Sequence, residues 1–113
     1  MKRRAIETSE TRRQREDGLC RALLSLRDVE GMRAFLYDLC TPAEIEAMVD
    51  RWSVVPHLLA GLPYRDIHER TGVSITTIGR VARFLHQGNG GYREAAARMR
   101  KERRGASSPK EAA

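Results

Sequence analysis

From Leu19 onward, apolar residues recur every three to four positions. That is the spacing of helices that each bury one face. Leu19, Leu23 and Leu26 predict a first helix that starts near Gly18 and runs to about Arg27. Asp28 stands where an N-cap belongs, and Val29, Met32, Leu36 and Leu39 form one face of a second helix. Thr41-Pro42-Ala43-Glu44 is a three-part start signal. Thr caps, Pro takes the first helical position, and Glu closes a capping box. The long third helix carries Ile45, Met48, Trp52, Val55 and Leu59 on one side, and Gly61 stops it. Pro56 is the misfit there. It cannot donate to the Trp52 carbonyl, so a kink or loosened turn is expected near residues 52–56.

Two short helices and a tight turn follow, over Tyr64 to Leu85. Gly72 can take the left-handed backbone that ends a helix, and Ser74 caps the next. Ile67, Val73, Ile78 and Val81 fall on the seam between the two helices. His68 stands at an inward position that usually holds a small residue, so the helices are expected to cross further apart. After Gly88-Asn89-Gly90-Gly91, a last helix is expected from Tyr92 to about Arg103, with Tyr92, Ala95, Ala96 and Met99 as its apolar face. No strand pattern appears. The fold class predicted is all-α, about six helices with a helix-turn-helix over 64–85. The helical domain is expected to span 17–103. Residues 1–16 read as a basic mobile arm or a frayed helix start, and 104–113 as a disordered tail.

The helix-turn-helix carries the candidate chemistry. Its second helix turns small hydroxyls and arginines outward, as a helix entering a major groove must. Arg80 suits a bidentate bond to guanine, or a phosphate bond; its bland alternative is a salt bridge to the scaffold. Thr76 and Thr77 offer hydroxyls to base edges and methyls to thymine. Ile75 either touches a thymine methyl or packs inward. Ser74 is chiefly a cap that also meets a phosphate, and Arg65 and Arg83 read as backbone clamps. The expected ligand is double-stranded DNA. The alternative is a protein-interaction module that uses the same corner as a contact surface.

Charge sharpens this picture. The formal net charge is +6 over 113 residues. Residues 17–61 hold four basic and seven acidic side chains, whereas 62–93 hold five and two. Residues 1–16 hold six and three, and 98–113 six and two. Positive charge thus gathers on the helix-turn-helix half and at both ends, where Arg3, Arg4, Arg12, Arg13 and the run Arg98 to Arg104 would add sequence-blind affinity for phosphates. Cys20 and Cys40 read as buried free thiols in a reducing compartment, and no metal site is expected. No catalytic arrangement or cofactor motif is visible, so an enzyme is not expected. No apolar run follows Met1-Lys2-Arg3-Arg4, and none reaches the roughly 20 residues of a membrane span; a cytoplasmic protein without membrane contact is expected. The apolar faces of the first three helices are wide for so small a domain, which predicts a homodimer.

From Leu19 to Met99 the chain resembles the Trp repressor-like superfamily, and within it the YerC/YecD branch. The resemblance is carried by LCTPAEIEAM at 39–48, RWSVVPHLLAGLPYRDI at 51–67, TGVSITTIGRV at 71–81 and LHQGNGGY at 85–92. It implies an intertwined all-helical dimer whose helix-turn-helix reads operator DNA. It also implies that Thr41, Arg51 and Arg80 match pocket residues of tryptophan-responsive members. Val81 replaces a glycine that leaves room for the indole ring, and Phe84 replaces a serine. Their bulk is expected to fill the pocket, leaving it vestigial, so no tryptophan corepressor is expected.

Overall fold

The computed structural model describes residues 9–106. Among them lie six helices and no strand: α1 (Ser9–Leu24), α2 (Val29–Leu39), α3 (Pro42–Leu59), α4 (Tyr64–Thr71), α5 (Ile75–Gln87) and α6 (Gly91–Ala106). The all-α expectation and the order of helices hold. Boundaries differ at the two ends. α1 begins at Ser9, inside the stretch read as an arm, and ends at Leu24. α6 runs on to Ala106. Arg3, Arg4 and the remainder of the arm and tail readings at 1–8 and 107–113 lie outside the described residues.

The chain divides into two compact units at Pro42. In the first, the Asp28 side chain accepts a 2.7 Å hydrogen bond from the Gly31 amide and so caps α2 as expected. No residue of α1 or α2 is buried. Leu24 is 83% exposed, and Val29, Tyr37 and Leu39 are also exposed. The buried-thiol reading of Cys20 is therefore corrected: α1 has no buried face, and Cys20 is exposed with a free thiol, while Cys40 is partly covered.

The second unit, from Ala43, holds the core. Val54, Val55, Ile67, Val73, Ile78, Val81 and Leu85 are buried together, with Trp52, Leu58, Leu62, Tyr92 and Ala96 packed against them. α3 enters that core through Val54 and Val55, and the predicted stripe had missed Val54. Met48, Val49 and Leu59 on α3 stay exposed, because the chain's own helices do not cover them. Pro56 sits inside α3, which runs through it as one helix. Trp52 stacks on Tyr92 with ring centroids 6.4 Å apart, which anchors the start of α6. Arg93 adds a polar tie: its Nε donates to the Leu85 carbonyl at 3.0 Å. That carbonyl lies in the last turn of α5, where a helix leaves its acceptors unpaired and favours a cation.

Candidate nucleic-acid interface

The turn between α4 and α5 is built by side chains as much as by backbone. Gly72 takes φ 76°, ψ 0°, and its amide donates to the His68 carbonyl, closing α4. A residue with a Cβ adopts this left-handed conformation only at a cost of about 1–2 kcal/mol. The Thr71 hydroxyl donates to the Ile67 carbonyl at 2.7 Å and accepts from the Val73 amide at 3.1 Å. His68 departs from expectation. The residue is exposed, outside the buried seam. Nδ1 reaches the Val73 carbonyl instead, at 2.7 Å. A carbonyl oxygen can only accept, so Nδ1 carries the proton of this bond. Ile67, Val73, Ile78 and Val81 are buried, as the seam requires.

α5 then separates its faces. Ile78, Val81, Ala82 and Leu85 are buried on one side. Thr76, Arg80 and Arg83 are exposed on the other. The spacing of Thr76, Arg80, Arg83 and Gln87 follows a single helical stripe. Gln87 lies beyond the 64–85 span expected for the helix-turn-helix; it is helical and exposed. Its amide is a fitting partner for an adenine edge. Ser74 caps α5, accepting from the Thr77 amide at 3.1 Å. Its hydroxyl also donates to the Thr77 hydroxyl at 3.1 Å, so Thr77 is half-covered and engaged in the cap. Ile75 is 47% exposed, which decides between its two readings in favour of the outward one. Arg65 is exposed in the first turn of α4. The scaffold salt bridge weighed for Arg80 is not found among the described residues. The Arg80 guanidinium lies over the Phe84 ring instead, 5.3 Å from its centroid.

Beside this face is an open hollow of about 410 Å³ lined by Arg51, Arg80, Val81, Phe84, Asn89, Gly90, Gly91 and Tyr92. It brings together four of the five residues read as a pocket. Thr41, the fifth, stands just before α3 in the first unit. Val81 and Phe84 both line the hollow. The Val81 side chain is spent in the core, and Phe84, 43% exposed, stands at the wall. The part played by Tyr92 and the Asn89–Gly91 turn was not read from the pattern. Only the backbone path from α5 into α6 brings them back to Arg80.

A family model described as Trp repressor protein matches residues 14–100. The chain belongs to the Trp repressor family. The uncharacterized protein YerC of Bacillus subtilis (strain 168) is 40% identical over 84 residues, which cover 74% of this chain and 81% of that protein. The crystal structure of a TrpR-like protein from Eubacterium eligens ATCC 27750 is 37% identical. It matches with a TM-score of 0.74, over 81% of this chain and 95% of that one. The resemblance to the YerC branch is thereby supported in sequence and fold. Membership of the Trp repressor family points to a helix-turn-helix DNA-binding regulator. No helix among the described residues is long and apolar enough to cross a membrane.

Proposed function

We propose that this Trp repressor family member is a sequence-specific DNA-binding transcriptional regulator that works as a cytoplasmic homodimer, represses by occupying its operator, and needs no tryptophan. The observation that carries the reading is the division of α5. Its inner residues are buried while Thr76, Arg80 and Arg83 stand free on the outside. Arg80 and Arg83 have no ion pair among the described residues, so both guanidinium groups are available to base edges or phosphates.

Dimerisation is supported by the first unit. No residue of α1 or α2 is buried, and Leu24, Val29 and Tyr37 are exposed. Apolar surface of that extent calls for a partner. A two-fold dimer would set two copies of α5 into successive major grooves, about 34 Å apart. Independence from tryptophan is supported by the wall of the hollow. The resemblance puts Val81 and Phe84 where responsive relatives carry smaller residues, and here Phe84 holds Arg80 against its ring.

Selection from random duplex DNA at about 150 mM salt, near physiological ionic strength, tests the reading. An enriched palindrome with half-sites about one helical turn apart, weakened by Arg80→Ala, is the expected result. Weak, salt-sensitive binding without a motif, unchanged by Arg80→Ala, would overturn it and leave the corner as a protein-contact surface. Calorimetry should detect no micromolar binding of tryptophan; heat of binding there would overturn the independence from tryptophan.

A further inference from the structure

Phe84 is an aromatic residue that the core does not use. It follows Arg80 by four positions on α5, and its ring is 43% exposed. The neighbours that bury α5 are met by Val81, Ala82 and Leu85 instead. What the ring does touch is the guanidinium of Arg80, 5.3 Å from its centroid. The Arg80 guanidinium has no hydrogen bond or ion pair among the described residues, so this stack is its one interaction there.

An arginine that reads a base must present a planar fork in one orientation. A free arginine side chain has many rotamers, and ordering it on binding lowers affinity. A flat π-face one helical turn away limits both the position and the plane of the guanidinium before DNA arrives. We propose that Phe84 is the positioning residue for Arg80, holding its fork ready for a single base pair in each half-site. The ring belongs to the same helix, so this readiness needs no ligand. The inference rests on reading α5 as the recognition helix, and it adds the residue that sets selectivity at one operator position.

Three variants of the full chain test it: Arg80→Ala, Phe84→Leu and Phe84→Tyr, with Phe84→Leu also placed in the Arg80→Ala background. In the free protein, the Arg80 side-chain proton signals should be displaced by the ring current. The displacement should vanish in Phe84→Leu and persist in Phe84→Tyr. On the selected operator, Phe84→Leu should lower discrimination by about two- to fivefold at the one position that Arg80→Ala defines. Binding to unrelated duplex and the unfolding midpoint should not change. Phe84→Tyr should restore discrimination, and Phe84→Leu should add nothing once Arg80 is alanine. A missing ring-current displacement would overturn the proposal. So would equal losses on operator and unrelated DNA, or a Phe84→Leu effect that survives in the Arg80→Ala background. If Arg80→Ala itself leaves sequence preference untouched, the reading of α5 falls as well. If Arg80→Ala relaxes preference and Phe84→Leu does not, only the role of Phe84 falls.

Discussion

His68 Nδ1 lies 2.7 Å from the carbonyl oxygen of Val73 and ties the end of α4 to the turn that launches α5. Val73 itself is buried in the seam. The imidazole thus fixes the carbonyl of a residue whose side chain is already fixed, which leaves the turn little freedom. Replacing His68 by Ala removes the bond without opening the core, because the ring is outside it. A loss of about 1 kcal/mol is expected, read as a lower urea midpoint with an unchanged slope. A midpoint equal to the parent's would mean that Thr71 and Gly72 hold the turn without the ring.

Ser74 separates folding from binding in one position. Its hydroxyl accepts from the Thr77 amide, so Ser74→Ala should cost about 1 kcal/mol of stability. Ser74→Asp keeps an acceptor at the cap and suits the positive end of the helix. That variant should melt like the parent yet bind DNA more weakly, since the new carboxylate faces phosphates. Thermal melting paired with a DNA titration at fixed salt distinguishes the two effects. An aspartate variant that bound DNA as well as the parent would remove Ser74 from the interface.

Gly88 ends α5, and its amide donates to the Phe84 carbonyl at 2.9 Å. A Cβ built at this position would overlap that same carbonyl oxygen. Gly88→Ala must therefore displace the last turn of α5, which also carries Leu85, the acceptor for Arg93. Destabilisation of about 1–3 kcal/mol is expected by chemical denaturation. Gly79 is the useful control: a Cβ there meets only the edge of the Tyr64 ring, at 3.9 Å, so Gly79→Ala should not destabilise.

Leu24 tests the dimer. It is 83% exposed at the end of α1, and charge at such a site is harmless in a monomer. Sedimentation of the parent at concentrations on the order of tens of micromolar should give a dimer whose melting temperature rises with concentration. Leu24→Asp should shift the equilibrium towards monomer. A parent that sediments as a monomer would sink the dimer reading.

Much of this architecture was legible because local signals agreed with packing. Asp28, Pro42, Gly72 and Ser74 each mark a helix end that the structure places where expected. The seam Ile67, Val73, Ile78 and Val81 followed from period alone. What was not legible depended on contacts distant in the chain or on reach. Ser9–Glu16 carries almost no apolar signal, and α1 extends through it nonetheless. The stripe on α3 pointed to Met48 and Leu59 along with Val55, but the chain buries only Val55 of these, and Val54 beside it. His68 was assigned by position in a motif, whereas its ring was long enough to leave the seam and find a carbonyl. The hollow was named through Arg51, Arg80, Val81 and Phe84, while Tyr92 joins it only through the path of the chain.

The two faces of α5 share no residue. Ile78, Val81, Ala82 and Leu85 hold the helix in place, and none of Thr76, Arg80, Arg83 or Gln87 is needed for that task. Mutational drift can therefore act on the outer stripe without threatening the fold, since surface substitutions away from special features stay within about 0.5 kcal/mol. After a gene duplication, two descendants of such a protein can part company in the targets they recognise while remaining interchangeable as scaffolds. The same separation invites grafting: an outer stripe transplanted from a relative should carry its preference with it.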